Sequence, residues 1–206
     1  MKINRQELIK ALETVRPGLA NKEMIEQSTS FAFMDGRVVT YNDEISISHP
    51  VPNLDLTGAV KADSLYKLLA KLKKDEISVS IQGNEVQLKT GKVKAGLTLQ
   101  EEITLPVDEV GELGEWKKAP DGLRDAMKFA MFSASTDIGN TPILTCLYVG
   151  SKNIIAADTH RMTRCAINKS PIKPFLIPAR SVKELVKYDF THIAEGEGWI
   201  HFKTEN

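Results

Sequence analysis

The apolar residues of this chain follow two spacings. Leu8, Ala11, Leu12 and Val15 recur every three to four positions, as do Ala62, Leu65, Leu68 and Leu69, and each set predicts a helix with one buried face. Between and after them the period is two. Ser30–Met34 and Arg37–Asp43 flank an Asp35-Gly36 turn, and Ile45–Ser48, Ile77–Ile81, Val86–Lys89 and Gly96–Leu99 alternate apolar and polar residues. Such alternation marks antiparallel strands with one face buried and one wet, so the unit reads helix, strands, helix, strands.

The same order returns at an offset of about 116 residues. Leu123, Ala126, Met127 and Ala130 form a third one-faced helix. A hairpin follows, Leu147–Val149 and Ile154–Thr159 around Gly150–Asn153. Ala179, Val182, Leu185 and Val186 form a fourth helix, entered through Pro178, whose fixed φ suits a helix start. The expected fold class is therefore α+β: tandem units, 1–115 and 116–206, each with two helices packed on antiparallel sheet. Val107–Pro120, with its acidic residues, Gly111, Gly114 and Pro120, is the expected boundary. After Tyr188 only Thr191–Ala194 and Trp199–Lys203 read as strands, against three or four through Leu105 in the first copy. The second unit is thus expected to lack its last strands and the chain to be a fragment, because an open edge strand invites misassembly.

Composition narrows the classes. Apolar residues make up 42% and charged residues 26% of 206, ordinary values that exclude disordered and fibrous chains. Lys+Arg and Asp+Glu are 27 each, so any affinity for a polyanion must come from local segregation of charge. Cys146 and Cys165 lie in apolar runs without C-x-x-C spacing and are expected as buried thiols in a reducing compartment. The charged start Met1–Glu7 does not resemble a signal peptide, and no apolar run spans a membrane, so the expected location is the cytosol.

Three strings carry a resemblance. Met1-Lys2-Ile3 with Leu8 and Leu12, the run Ile155–Met162 containing Asp158-Thr159-His160-Arg161, and Phe175–Leu185 containing Ile177-Pro178-Ala179-Arg180 occur in order inside the duplicated chain. Together they resemble the bacterial DNA polymerase III beta subunit, the beta sliding clamp family, over essentially the whole chain. Thr159 stands where that family commonly has Gly, which requires that the backbone there avoid positive φ. Family members carry three such units. A closed ring of six would need a third unit with two subunits, or three two-unit subunits.

The resemblance implies a non-enzymatic processivity factor that encircles duplex DNA without reading its sequence, forms a homo-oligomeric ring, and binds the replicative polymerase and clamp loader through short linear motifs. No cofactor or metal is expected, and no membrane partner. Sliding needs cations that meet phosphates and ignore bases. Lys67, Lys71 and Lys74 fall opposite the leucines of the second helix at helical spacing. Arg180, Lys183 and Lys187 do the same on the fourth, Arg124 and Lys128 flank the stripe of the third, and Lys22 matches a family position that touches DNA. Each alone fits the solvated face of an amphipathic helix better than a phosphate contact; the joint pattern is what points to phosphate.

The resemblance further implies a peptide cleft at Leu144, Ala157, Thr159, His160, Arg161 and Met162, where small and apolar residues floor a pocket beside directing polar groups. A peptide-binding module that never encloses DNA is the alternative. Enzymatic readings are poor. His49, His160, His192 and His201 are scattered, no metalloprotease, serine-hydrolase or phosphate-loop motif occurs, and Asp158 and His160, on one face if the strand continues, have no nucleophile beside them. His192 and His201 straddle a hairpin but lack a carboxylate or thiolate to complete a metal site.

Overall fold

The computed structural model describes residues 1–110, 114–139 and 141–205. Gly111, named in the expected boundary, lies outside them. The chain divides into two compact units, Met1–Val107 and Asp108–Asn206.

The first unit runs β1 (Lys2–Asn4), α1 (Arg5–Val15), β2 (Ser30–Met34), β3 (Arg37–Tyr41), β4 (Ser46–Pro50), β5 (Gly58–Lys61), α2 (Ala62–Lys71), β6 (Glu76–Gln82), β7 (Glu85–Thr90) and β8 (Val93–Thr98). Its strands form two antiparallel sheets, ordered β4-β3-β2-β5 and β1-β6-β7-β8. Three strands follow α2, and beyond them only an isolated bridge joins Gln100 to Ala59.

Local chemistry sets the element ends. The Asn4 side-chain oxygen accepts the backbone N–H groups of Gln6 at 2.8 Å and Glu7 at 3.2 Å, capping α1. The helix stops at Arg16-Pro17-Gly18, where a β-carbon on Gly18 would collide with the Thr40 hydroxyl. That hydroxyl donates to the Val15 carbonyl at 2.6 Å. Asp35 and Gly36 both take positive φ, the backbone a two-residue hairpin needs. Helix α2 ends at Lys71 because Leu72 turns extended and is buried.

The core joins Leu8, Leu12 and Val15 of α1 and Leu65 and Leu69 of α2 to the inner-face residues Phe31, Phe33, Ile77, Val79 and Leu88. Polar residues face out between them, the period-two pattern seen in three dimensions. One buried residue escapes any periodicity. Gln27 is 1% exposed in the left-handed region, φ 62°; its amide nitrogen donates to the Glu102 carbonyl at 2.8 Å and its oxygen accepts the Thr104 N–H at 2.9 Å. It ties the segment after β8 to the loop before β2.

The second unit runs β9 (Lys117–Lys118), α3 (Leu123–Ala130), β10 (Cys146–Val149), β11 (Asn153–Ala157), β12 (Met162–Ala166), β13 (Phe175–Pro178), α4 (Ala179–Leu185), β14 (Phe190–Glu195) and β15 (Ile200–Thr204). Its sheets are ordered β12-β11-β10-β13 and β9-β14-β15. Element by element this repeats the first unit, with β9 in the place of β1. Among the described residues its second sheet has three strands where the first unit has four. Leu123, Met127, Leu147, Ile154, Val182 and Ile193 centre its core.

Three expectations need correction. The two thiols are free but only half-buried, because Cys146 and Cys165 sit on strands that are not fully covered. Lys74 lies beyond the end of α2 and Lys187 beyond the cap of α4, so neither is on a helix face. The hairpin strand expected to reach Thr159 stops at Ala157, and Asp158, Thr159 and His160 form a turn.

Replacing Gln27 by Ala should destabilise the first unit by about 1–3 kcal/mol, since it leaves two backbone groups without their partner; chemical denaturation measures this. Burial, first, then Arg37 and Lys10, hold the His49 pKa below the usual 6.5, and burial lowers that of His201 against a backbone hydrogen bond to Val110. Because the folded state disfavours protonation, the stability these rings contribute is present above 6.5 and is lost as the pH falls below it. Melting temperature should therefore drop between pH 6.5 and 5, and H49Q/H201Q should flatten that part of the profile.

Candidate DNA and peptide surfaces

The nine predicted cations fall into three environments. Lys22, in the loop between α1 and β2, Lys71 at the last position of α2, Lys74 in the turn before β6, Lys128 in the last turn of α3, and Lys183 on α4 are exposed and make no ion pair among the described residues. Lys67 pairs with Asp63 at 3.0 Å one turn earlier on α2, Arg124 with Asp189, and Lys187 with Glu184. Arg180, exposed on the first turn of α4, is also engaged. The helix surfaces are thus not purely cationic. On the first unit Glu13 accepts a 2.6 Å hydrogen bond from the Tyr66 hydroxyl, and the Arg16 guanidinium stands 5.3 Å above that ring. Exposed pairs of this kind contribute little to stability and exchange partners at little cost. A phosphate can therefore compete for Lys67 or Arg124, while the unpaired lysines are available outright. Lys10, exposed on α1, belongs with them; a lone lysine between Ile9 and Ala11 gave no periodic signal by which to find it.

The predicted peptide-cleft residues divide in two. Leu144 and Ala157 line an open groove of about 640 Å³ on the face of the β12-β11-β10-β13 sheet away from the core, with Ile143, Cys146, Tyr148, Ile155, Pro174 and Leu176 among the other lining residues. Cross-strand register builds its floor: Tyr148 stands opposite both Ile155 and Leu176. Ile143 is 58%, Tyr148 41% and Leu176 49% exposed, so large apolar side chains face water. The signal for these was present in Cys146–Val149, Asn153–Ala157 and Phe175–Pro178, which are apolar on both faces instead of alternating. A sheet that is apolar outward as well as inward expects something to cover it.

Thr159, His160, Arg161 and Met162 do not line the groove. They make and leave the β11–β12 turn. Asp158 organises it: one carboxylate oxygen accepts the N–H groups of His160 at 2.8 Å and Arg161 at 2.9 Å, and the other accepts Arg161 Nε at 3.0 Å. The His160 N–H is the largest of the influences that hold the Asp158 carboxyl below its ordinary pKa. Both oxygens serve the turn, which removes Asp158 as the partner of a catalytic His160. Thr159 is accommodated because its φ is not positive. The Arg161 guanidinium stacks on the Phe132 ring at 4.2 Å, and Phe132 and Met162 are 69% and 68% exposed. Phe132 was not among the predicted residues; the contact that marks it is tertiary.

Among the described residues no group of three His, Cys, Asp or Glu could hold a metal ion. His192 pairs its Nδ1 with the Thr191 hydroxyl at 2.8 Å, and His201 packs edge-on to Trp116. No helix among the described residues is long and apolar enough to cross a membrane.

No family model and no curated protein matches the chain. Solved structures do. The DNA polymerase sliding clamp of Bacillus subtilis superposes with a TM-score of 0.80 at 21% identity, covering 100% of this chain and 62% of that one. A Pseudomonas aeruginosa sliding clamp, solved bound to griselimycin, gives 0.80 at 18% identity, 99% and 61%. The beta subunit from DNA polymerase of Streptococcus pyogenes gives 0.74 at 23% identity, 99% and 61%. The chain therefore spans about three-fifths of the length of the clamps it matches. Over that span it has the α+β fold of the bacterial DNA polymerase III beta sliding clamps.

Proposed function

We propose that this chain acts as a DNA sliding clamp, a processivity factor that surrounds duplex DNA in a homo-oligomeric ring and holds replication proteins through a peptide groove. The observation that carries the reading is the repeated unit itself. Two units with one element order, the second a strand shorter among the described residues, each set two helices against their sheets and carry unpaired lysines on or beside those helices, Lys22, Lys71, Lys128 and Lys183 among them. A repeated module that presents cations without a base-reading element suits a ligand whose charge repeats and whose sequence is ignored. Six such units would close the ring, with further units supplied by additional chain or by additional copies.

Retention on DNA would then come from topology and not from affinity, which fits a formal net charge of zero. The groove beside Tyr148 and Leu176 would receive the apolar anchors of a short motif from the replicative polymerase or the clamp loader, with Arg161 and His160 directing it from the adjacent turn. The reading involves no catalysis, cofactor or metal, and it places the protein in the cytoplasm. A second reading, a peptide-binding module that never encloses DNA, is favoured by the groove alone. Sedimentation of the full-length protein separates the two, since strict monomers at high concentration support the module.

Loaded on nicked circular DNA, the protein should co-elute with it in gel filtration and be released when a restriction enzyme linearises the circle; equal retention on both forms counts against the ring. Replacing Tyr148 by Ser and Leu176 by Ser should weaken binding of an apolar-anchor peptide from a replicative polymerase about tenfold or more, read by fluorescence anisotropy, because each removes an exposed anchor surface.

A further inference from the structure

The outward face of the β1-β6-β7-β8 sheet, on the side of the first unit away from its core, carries a cationic row that no helix-face reading includes. Strand register aligns Lys2 with Ser78, Ser78 with Lys89, and Lys89 with Lys94. Lys89 and Lys94 are therefore directly opposite on neighbouring strands, a like-charge pair that costs stability. The turn joining their strands adds Lys92, and Lys74 folds over it: a β-carbon on Gly91 would stand 3.2 Å from the Lys74 Nζ. Lys73 precedes Lys74 in the same connection and is exposed.

The carboxylates that the sheet itself brings to this end are already taken, Glu76 by Lys2 at 3.0 Å and Asp75 by Arg5 at 3.4 Å. Lys73, Lys74, Lys89, Lys92 and Lys94 have no ion-pair partner among the described residues. Five unneutralised ammonium groups, two of them held face to face, form a place where an anion would relieve repulsion instead of competing with an existing pair.

We propose that this row is a second nucleic-acid surface, which binds the phosphate backbone of duplex DNA from outside any ring. The row from Lys2 to Lys94 crosses three strand spacings, about 14 Å, far more than one phosphate needs and enough to follow a duplex backbone. Lysine is a compact point charge, suited to phosphate and indifferent to base identity. The outward positions beside the row are Ser78, Ser80, Gln87, Gly96 and Thr98, with the Glu85 carboxylate laid over Gly96 at the far end of β7; none is an aromatic ring on which an unpaired base could stack, which favours duplex over single strands. The inference goes beyond the ring and shares with it the ligand class and one residue, Lys74, which lies off the α2 face.

The test is anisotropy titration of a linear, blunt-ended duplex of about 30 base pairs with the full chain between 50 and 200 mM salt. In K89T/K94T the two lysines become strand-forming neutral residues. The double variant should melt no lower than the parent, since the like-charge pair is gone, yet bind about tenfold more weakly near 100 mM salt with a salt slope shallower by about two. K89R/K94R should restore both. A parallel arm compares retention of the parent protein on nicked circular and on linearised DNA, so equal retention on both, with K89T/K94T still weakening the linear duplex, defeats the ring reading and leaves this one standing. Unchanged affinity and slope in K89T/K94T overturns the proposal. So does binding of the parent protein to phosphatidylserine vesicles without binding to the duplex.

Discussion

In each unit, two helices with a single apolar face are buried against the inner faces of antiparallel sheets. In the first unit Leu12 and Leu69 are fully buried among Phe31, Phe33, Ile77 and Leu88. In the second, Met127 and Val182 take the same part against Leu147, Ile154 and Ile193. A helix that spends its apolar face on a sheet has only polar residues left for water, and a sheet so covered keeps one face free. The surfaces discussed above are consequences of that division. Cations are sorted onto exposed helix positions, and the outward sheet faces become available for other partners.

What those outward faces carry differs between the units. On the first unit the outward face of the β1-β6-β7-β8 sheet is polar, with Lys2, Lys89 and Lys94 in register. On the second unit the outward face of the β12-β11-β10-β13 sheet is apolar, with Ile155, Tyr148 and Leu176 in register. The two faces belong to different sheets of the repeated unit, since the counterpart of β12-β11-β10-β13 in the first unit is β4-β3-β2-β5. Solvent-facing positions of a sheet can carry either chemistry because they are free of the packing constraints that hold the core.

The turn after β11 illustrates how a string can be legible while its role is not. Asp158-Thr159-His160-Arg161 drew attention as a family signature. In the structure Asp158 spends its oxygens on the N–H groups of His160 and Arg161 and on the Arg161 guanidinium, and Arg161 lies on Phe132. The string specifies a rigid hairpin turn that presents an Arg and an aromatic side by side. Sequence separation of about thirty residues hid the aromatic half of that pair.

The α+β class, the four helices, the main hairpins and the duplication are legible in the sequence alone, because each rests on a local period of 3.6 or 2 or on turn chemistry such as Asp35-Gly36 and Pro178. The sequence did not reveal that each unit divides its strands between two sheets, that Lys117–Lys118 forms the partner of β14, or that Lys74 and Lys187 fall past their helices, since these depend on which strand pairs with which and on where Leu72 and Val186 find cover. Nor could it show Gln27 bridging to Glu102 and Thr104, or Lys89 facing Lys94. Periodicity records the face a residue presents; only the tertiary fold decides what stands across from it.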